Sequence, residues 1–247
     1  MSRKKSKTVA KNTINECHLL ESIENNRLSR PLNISHKEFT DKQKQFINVA
    51  LDPKTKIVFV PGPAGCSKTY ISVYCGLELM NKQMVSEMVY IRSAVESSDS
   101  KLGFLPGAQD DKMAPYLEPF KDKLQEFLSP VDVRYLQGEE RIYGIPVGFL
   151  RGASWEDKFI LIDEAQNLTE KEIITTITRI GPNTKVFICG DDMQSDIGNK
   201  SGFTQITRLF SDDESKEQGI RCFGFNEDDI VRSELVKFIV KKIKSLK

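Results

Sequence analysis

The sequence lacks the features that mark disulfide-bonded, secreted and membrane-spanning proteins. Its 5 cysteines are an odd number, and no two of them stand at the spacing of a metal-binding or redox pair. No stretch approaches the roughly 18 apolar residues of a membrane-spanning helix. The basic, polar residues 1–11 are not followed by the apolar run of a signal peptide. We therefore expect a cytoplasmic protein without a membrane partner.

The sequence also lacks an excess of charge of either sign. Lys and Arg together number 36 and Asp and Glu 35, so the formal net charge is +1. Overall charge therefore gives no indication of nucleic-acid binding, and any basic surface must be local. Positive charges are concentrated in residues 1–11, which we interpret as a disordered basic tail. A chain of 247 residues can form one large domain or two small ones.

Residues 57–69 (I-V-F-V-P-G-P-A-G-C-S-K-T) have the order of a phosphate-binding loop. The apolar start predicts a short buried strand, a Gly/Pro turn follows, and the spacing predicts a buried helix over 70–81. Glycines let several backbone N–H groups converge on an anion, and the helix N-terminus adds positive charge. Lys68 can reach the β- and γ-phosphates, and Thr69 can hold Mg²⁺. We predict that the loop comprises Gly62, Pro63, Ala64, Gly65, Cys66, Ser67, Lys68 and Thr69.

The loop departs from the usual pattern G-x-x-x-x-G-K-[ST] at one position. Gly62 occupies the first glycine position, but Ser67 replaces the second glycine. Taken alone, the segment could also be a glycine turn followed by a surface lysine. If it binds phosphate, the small side chain of Ser67 lies close to the ligand. We therefore expect altered affinity and not loss of binding.

Two further apolar runs end in polar side chains that suit nucleotide chemistry. Residues 159–163 (F-I-L-I-D) and 185–190 (K-V-F-I-C-G) indicate strands buried on both faces, as in a parallel α/β sheet. The first strand delivers Asp163 and Glu164 to the carboxyl edge of the sheet, and the second is followed by Gln194. Ligands of open α/β sheets bind at this edge, where the phosphate loop also begins.

Together these side chains predict a site for nucleoside triphosphate hydrolysis. Asp163 can hold Mg²⁺, directly or through water, together with Thr69. Glu164 can accept a proton from the attacking water, and Gln194 can sense the γ-phosphate or orient that water. Alone, the two acids could be an ordinary acidic pair at a helix N-terminus, and Gln194 an ordinary loop residue. Three strand ends in the right order favour the joint site, because phosphoryl transfer needs charge neutralisation and positioning.

The remaining pattern predicts the other elements of an α/β fold. A capping box from Thr169 to Glu172 begins a helix that Gly181 and Pro182 end. In the last helix we expect an inward face formed by Leu235, Ile239, Ile243 and Leu246. The predicted helices cover 39–51, 113–128, 204–210 and 228–247. The predicted strands cover 88–91, 146–151 and 221–225. We also predict a connection over 138–144 and an exposed loop over 211–218.

Two glutamines in the helix over 39–51 are candidates for contact with a base. An amide can pair with both N6 and N7 of adenine, as it does on DNA. Both Gln43 and Gln45 would lie near the phosphate loop. Either could instead be a plain surface residue.

Seven motifs in chain order resemble the PhoH family of ATPases. They are I-R-S-A-V-E at 91–96, K-L-G-F-L-P-G at 101–107, G-F-L-R-G at 148–152, F-I-L-I-D-E-A-Q-N at 159–167, T-R-I-G at 178–181, G-D-D-M-Q-S-D at 190–196 and D-I-V-R at 229–232. The D-E-x-Q and G-D-x-x-Q motifs also resemble the first RecA-like domain of superfamily-one helicases. Members of the family usually have Gly at the position of Ser67, Pro at the position of Ser93, and an Arg-His-Pro run at 232–234.

The resemblance implies a fold, a base contact and a cellular setting. The implied fold is a single RecA-like P-loop NTPase domain over residues 39–247, with a mostly parallel sheet and helices on both faces. A basic tail and a short extension over residues 1–38 precede it. The implied adenine contact is the Gln of a T-x-x-Q element, here Thr40 to Gln43, so that Gln43 is preferred over Gln45. The short, lysine-rich chain looks more like phage-encoded members than full bacterial ones, which implies bacterial cytosol or the cytoplasm of an infected host.

A single core of this kind lacks the second domain that supplies an arginine finger in helicases. Such a finger raises the rate of ATP hydrolysis ~10³–10⁵-fold. Either the monomer is a weak ATPase, or a neighbouring subunit completes the site in a ring, for which we expect a hexamer. Arg232 is the first candidate for the finger, as the resemblance also implies, with Arg151 and Arg179 as alternatives. Arg232 could also be a surface residue of the last helix.

Three functions follow from this sequence. The leading hypothesis is Mg²⁺-dependent ATP hydrolysis coupled to binding or remodelling of RNA or single-stranded DNA. Its nucleic-acid part rests on the resemblance, on Arg92 after a strand, and on Phe104, which could stack on a base or anchor the core. The second is an ATP-dependent switch or assembly module without helicase activity. The third, a small-molecule kinase, is disfavoured by Glu164, because activation of water suits hydrolysis.

Overall fold

The computed structural model describes residues 28–35, 37–93, 109–147 and 154–244 of the chain. Contacts between Cα atoms divide the chain into two units, Met1–Pro31 and Leu32–Lys247. Every helix and strand of the described residues belongs to the second unit. The predicted tail over 1–11 and the motif at 101–107 lie outside the described residues.

A parallel sheet forms the centre of the fold. Within the described residues it has six strands in the order β3-β2-β4-β5-β1-β6, and all five neighbouring pairs are parallel. The carboxyl ends of the strands therefore lie at one edge, and β5 separates β4 from β1. This confirms the predicted α/β class. The strands are β1 (Ile57–Pro61), β2 (Glu87–Arg92), β3 (Ile142–Pro146), β4 (Lys158–Asp163), β5 (Lys185–Gly190) and β6 (Ile220–Cys222).

Helices connect the strands. Short 3₁₀ helices at Ala165–Asn167, Gly198–Lys200 and Glu227–Asp229 interrupt the loops at the carboxyl edge and before the last helix. The α-helices in the described part of the chain are α1 (Asp41–Leu51), α2 (Lys68–Asn81), α3 (Gln109–Phe127), α4 (Pro130–Gly138), α5 (Glu170–Ile177), α6 (Phe203–Leu209), α7 (Asp213–Glu217) and α8 (Glu234–Lys244).

The sheet is covered on both faces, as its continuous apolar strands predict. Successive side chains of a strand point to opposite faces. On one face, Phe59 belongs to a core cluster that includes Ile173 of α5 and Phe203 of α6. On the other, the ring of Phe187 packs against that of Phe46 of α1, with 5.7 Å between the centroids. The two-sided core confirms the predicted layers.

Helix α2 lies close against the sheet because one of its residues is a glycine. A Cβ atom on Gly76 would come within 2.6 Å of side-chain atoms of both Met88 and Phe159. A larger residue would push the helix away from β2 and β4. The close packing holds the N-terminus of α2, at Lys68, beside the end of β1.

The capping signals of the sequence are confirmed. Thr169 accepts a hydrogen bond from the backbone N–H of Glu172, and the Glu172 carboxylate accepts one from the backbone N–H of Thr169. The helix that they begin, α5, ends at Ile177, earlier than Gly181 and Pro182 suggest. A second capping box, formed by Thr40 and Gln43, begins α1.

The region around β3 differs from the sequence prediction. The predicted connection over 138–144 contains the start of β3, which spans Ile142–Pro146 beside β2. Residues 148–151 of the predicted strand lie outside the described residues. Proline has no backbone N–H to donate, which accounts for the end of the strand at Pro146. Helix α4 was not predicted, although Ser129 caps it by accepting the backbone N–H of Asp132 at 3.1 Å.

Two predictions near the C-terminal end were wrong in their bounds. The predicted loop over 211–218 contains helix α7, which begins because the Asp212 carboxylate accepts the backbone N–H of Ser215 at 2.8 Å. The predicted strand over 221–225 is shorter and earlier, at Ile220–Cys222. The chain nevertheless stays beside β1, since the N–H of Phe223 donates to the carbonyl of Phe59 at 2.9 Å.

The inward face predicted for the last helix was also wrong. Helix α8 begins at Glu234, and three residues of that face are exposed by 44–66%: Leu235, Ile239 and Ile243. Phe238 beside them is 58% exposed. Leu246 lies outside the described residues. Helical spacing shows that apolar residues share a face, but it does not show what covers that face.

Candidate active site

A cleft of about 520 Å³ lies at the carboxyl edge of the sheet. Because β5 lies between β1 and β4, the segments that follow these three strands meet there. Residues lining the cleft come from each of these segments, from α1 and from the segment before α8. Those from the sequence prediction are Gln43, Ala64, Gly65, Ser67, Lys68, Thr69, Asp163, Glu164, Gln194 and Arg232.

The phosphate loop turns through two residues in left-handed conformation. Gly65 has φ 87°, which glycine adopts without strain. Ser67 has φ 64° and ψ 29°, a conformation that costs roughly 1–2 kcal/mol for a residue with a Cβ atom. Glycine at this position would avoid this cost. Ser67 therefore carries backbone strain at the start of α2.

Lys68 lies folded back over its own loop. Its ammonium group donates to the carbonyl oxygens of Gly62 at 2.7 Å and Pro63 at 2.9 Å. Gly62, Pro63 and Cys66 themselves are not among the residues that line the cleft. The thiol of Cys66 donates to the Pro63 carbonyl at 3.0 Å, and burial raises the pKa of this thiol. These three residues hold the loop and the lysine in place.

The predicted metal ligands are in direct contact. The hydroxyl of Thr69 donates to Oδ1 of Asp163 at 2.8 Å, across 94 residues of sequence. The hydroxyl of Tyr90 donates to the other oxygen, Oδ2, at 2.9 Å. Tyr90 is buried, and its ring stacks on that of Phe120 with 4.9 Å between centroids. The sequence interpretation missed Tyr90, because in the sequence it cannot be distinguished from the apolar residues of the same strand.

The surroundings of Asp163 disfavour the ionised form of its carboxylate. Burial raises its pKa, and the neighbouring Glu164 carboxylate raises the pKa further. The hydrogen bonds from Thr69 and Tyr90 and the charge of Arg92 act in the opposite direction. A divalent cation beside Oδ1 would stabilise the charged form, because an opposite charge favours ionisation.

Glu164 also lies in left-handed conformation, with φ 52°. The 3₁₀ helix Ala165–Asn167 follows it directly, and the N–H of Asn167 donates to the Glu164 carbonyl at 2.9 Å. Strained residues of this kind cluster at functional sites. The strained backbone brings the Glu164 side chain to the cleft lining, one residue after the buried Asp163.

Gln166 is a second residue that the sequence interpretation missed. It is buried, with 1% of its surface exposed. Its Nε2 donates to Oε2 of Glu164 at 2.6 Å, and its Oε1 accepts the backbone N–H of Asp191 at 2.9 Å. The signal was present as the fourth residue of the D-E-A-Q motif, but its partners depend on the neighbouring strand.

The two candidate glutamines of α1 differ in position. Gln43 is buried and lines the cleft, whereas Gln45 is exposed and does not. The Oε1 atom of Gln43 accepts the backbone N–H of Thr40 at 3.0 Å. The geometry agrees with the preference for Gln43.

Arg232 lines the cleft of its own chain. A Cβ atom on Gly65 would lie 3.3 Å from Cδ of Arg232, and the N–H of Val231 donates to the Gly65 carbonyl at 3.1 Å. The predicted action on a neighbouring subunit stays a prediction. Arg179 is not among the lining residues, and Arg151 lies outside the described residues.

The predicted nucleic-acid contacts have little structure to support them. Phe104 lies outside the described residues. Arg92 ends β2 in register with Asp163 and is partly buried. In the described part of the chain, no helix combines the length and apolar character that crossing a membrane would require.

Comparisons with known proteins identify the family over the residues that form this fold. A family model described as "PhoH-like protein" matches residues 35–244. The chain is 33% identical over 204 residues to a PhoH-like protein of Synechocystis sp., covering 82% of this chain and 60% of the relative. It is 33% identical over 195 residues to one of Bacillus subtilis, covering 78% and 60%. It is 34% identical over 184 residues to Protein PhoH of Escherichia coli, covering 73% and 51%.

The chain thus spans about half to three-fifths of the length of these relatives. The matched region contains the six strands of the described residues and the whole cleft lining, from Glu38 to Arg232. Family, fold and site geometry therefore coincide over the same residues, and the chain belongs to the PhoH-like protein family.

Proposed function

We propose that this protein is a Mg²⁺-dependent ATPase. One observation carries the proposal: the side chains that follow β1, β4 and β5 line a single cleft. A triphosphate in this cleft would contact backbone N–H groups of the loop, the positive end of α2 and the ammonium of Lys68. Membership of a nucleotide-binding family supports the same use.

In the proposed reaction, a water oxygen attacks the γ-phosphorus opposite the oxygen that bridges to the β-phosphate. The new P–O bond forms as the bond to the bridging oxygen breaks, and that oxygen leaves with the electron pair as part of ADP. Glu164 accepts the proton from the water, and Gln194 orients the water. Lys68 neutralises charge on the β- and γ-phosphates.

The donor set fits Mg²⁺. Thr69 Oγ1 and Asp163 Oδ1 are hard oxygen ligands 2.8 Å apart, and they would hold the ion. Among the described residues no group of three or more His, Cys, Asp or Glu could hold a metal. Protein-bound Mg²⁺ usually has only one or two carboxylate ligands and takes the rest from phosphates and water. When bound, the ion supplies charge neutralisation at the phosphate oxygens.

Gln43 would recognise the base. Its Oε1 is engaged by the backbone of Thr40 and keeps a second lone pair for the N6 donor of adenine. Its Nε2 would donate to N7. This arrangement would favour adenine over guanine, because guanine presents an acceptor where adenine has its N6 amino group.

Two variants test the ATPase proposal. Lys68→Ala should abolish turnover of ATP, measured as phosphate release, because charge neutralisation and phosphate binding are both lost. Glu164→Gln should keep binding of a fluorescent ATP analogue while it stops hydrolysis. Lys56→Ala is a matched control for the lysine, since Lys56 precedes β1 and is exposed. Normal turnover by Lys68→Ala would refute the site.

We further propose that the chain forms a ring, with a hexamer favoured. The exposed apolar residues of α8 support self-association, because such a row is costly in water. Lysines flank that row, and acidic residues lie beside exposed Leu209 around α7, so the two surfaces have opposite charge. Contact between unlike surfaces is the kind that closes into rings. A native mass measurement tests the assembly.

The proposed ligand of the ring is RNA or single-stranded DNA. Support comes from the family resemblance and from Arg92 at the end of β2. ATP turnover with and without each nucleic acid, measured at two salt concentrations, separates this proposal from an ATP-dependent switch. Stimulation that weakens with salt would support nucleic-acid coupling. Equal turnover in all mixtures would support the switch.

A further inference from the structure

The amide of Gln166 connects two of the strand ends that form the cleft. Its Nε2 donates to Glu164 at 2.6 Å, after β4, and its Oε1 accepts from the backbone of Asp191 at 2.9 Å, after β5. Its own carbonyl accepts the hydroxyl of Ser195 at 3.0 Å. Two of these hydrogen bonds thus join the segment that carries Glu164 to the segment that carries Gln194, and the third ties the same buried residue to Glu164 itself.

We propose that Gln166 is a positioning residue that sets the catalytic carboxylate and the γ-phosphate-sensing loop in one arrangement. The proposal rests on the proposed ATPase function. Gln166 would not touch the reacting atoms. It would act through Glu164 by binding one carboxylate oxygen, so that the other faces the attacking water. It would act on Gln194 by fixing Asp191 and Ser195 on both sides of it.

The chemistry of this position requires an amide. The side chain must donate to a carboxylate and accept from a backbone N–H at the same time, and only Asn and Gln side chains present both groups from one planar end. Glu at this position would still accept from Asp191 but would face Glu164 with a second carboxylate. Met would have a similar length and would make neither bond.

The neighbouring residue provides a comparison within the same turn. Asn167 and Asp196 exchange two hydrogen bonds, of 2.8 and 2.9 Å, and they tie the same two segments together. These bonds are exposed, and neither involves Glu164. If simple tethering of the loop is enough for activity, Asn167 and Gln166 should matter equally. If the orientation of Glu164 matters, only Gln166 should control turnover.

The experiment compares Gln166→Met, Gln166→Glu and Asn167→Ala with the natural chain. We expect kcat to fall about 10–100-fold in both Gln166 variants, because a hydrogen bond to a charged group is lost. KM for ATP should change less than about twofold, since binding of the substrate is not affected. Asn167→Ala should keep kcat. Equal losses of kcat in Asn167→Ala and Gln166→Met, or unchanged kcat in Gln166→Met, would overturn the proposal.

A charge exchange tests the contact without relying on turnover. Gln166→Glu alone should lower the melting temperature, because two carboxylates face each other. The double variant Glu164→Gln, Gln166→Glu should recover it, since the amide and the carboxylate have only changed places. Absence of recovery would overturn the contact. If the natural chain releases no phosphate from ATP, the proposed function fails, and the charge exchange still tests the bridge. If Glu164→Gln alone hydrolyses ATP normally, Glu164 is not the base.

Discussion

The hydroxyl of Tyr90 donates a hydrogen bond of 2.9 Å to Oδ2 of Asp163, on the opposite side of the carboxylate from Thr69. Tyr90 and Asp163 are both buried, and they lie on the neighbouring strands β2 and β4. Tyr90 thereby leaves Oδ1 directed at the Thr69 hydroxyl, where a cation would bind. Burial raises the pKa of Tyr90 far above its usual range, so that the hydroxyl stays a donor at any physiological pH.

We predict that Tyr90→Phe weakens the binding of Mg²⁺ during turnover. The Mg²⁺ concentration for half-maximal ATP turnover should rise several-fold, because Asp163 loses the donor that orients it. Loss of the buried hydrogen bond should also lower the free energy of unfolding by about 1–3 kcal/mol, measured by urea denaturation.

A matched control for this variant is Tyr143→Phe. The hydroxyl of Tyr143 donates to Glu87 at 2.8 Å, and Glu87 begins β2 at the far edge of the sheet. This variant also loses a tyrosine–carboxylate hydrogen bond, but it should leave the Mg²⁺ dependence unchanged. If both variants shift it equally, Tyr90 has no particular role in holding Asp163.

Replacement of Ser67 by glycine should relieve the strain in the phosphate loop. We expect Ser67→Gly to raise the free energy of unfolding by about 0.5–1 kcal/mol, because glycine adopts positive φ without steric cost. The affinity for ATP should also change, since the side chain lies in the cleft lining. Thermal unfolding and titration with a fluorescent ATP analogue measure the two effects.

Gln83→Gly is the control for Ser67→Gly, because it separates the effect of backbone strain on stability from the effect of ligand contact on affinity. Gln83 has φ 56°, is exposed, and follows α2 outside the cleft lining. Its replacement should stabilise the fold to a similar extent without changing the affinity for ATP. An unchanged affinity in Ser67→Gly as well would mean that Ser67 does not approach the nucleotide.

The position of Arg232 predicts action within its own subunit. Arg232→Ala should lower kcat at least about tenfold, because a positive charge near the γ-phosphate is lost. Mixing this variant with Lys68→Ala should not restore turnover, since neither chain then has a complete site. Phosphate release from co-refolded mixtures measures this outcome. Recovery in the mixture would show that Arg232 acts across a subunit interface, as the sequence alone suggested.

The exposed face of α8 predicts a dependence of assembly on its apolar residues. The double variant Leu235→Ser, Phe238→Ser should lower the native mass towards that of the 28.1 kDa chain, because the apolar row would be interrupted. Val131→Ser is the control, since Val131 is 59% exposed on the distant helix α4. An unchanged assembly in the double variant would exclude α8 from the subunit interface.

Much of the fold could be predicted because its signals are local. The apolar runs of β1, β4 and β5 are nearly continuous, which indicates strands covered on both faces. The capping box at Thr169 is also a property of four neighbouring residues. The errors occurred where the local signal was weak, as in the short edge strand β3, or where an element needs a partner, as in α8.

The candidate site was predictable in its parts but not in its connections. Lys68, Thr69, Asp163, Glu164 and Gln194 each follow an apolar strand, and strand ends of a parallel sheet share one edge. Tyr90 was missed because a buried tyrosine in a strand has no distinctive spacing. Gln166 was missed because the fourth position of the D-E-A-Q motif does not show which groups the amide bonds. Their roles come from atoms on neighbouring strands.

The sequence by itself determined the class of the fold, the order of its strands along the chain and the groups that end them. These follow from periodicity, glycine and capping patterns, which act over a few residues. Only the tertiary structure decided the strand order across the sheet, the bridge of Gln166 between Glu164 and Asp191, and the position of Arg232 beside Gly65. These relationships join residues far apart in the chain, and packing of the whole domain brings them together.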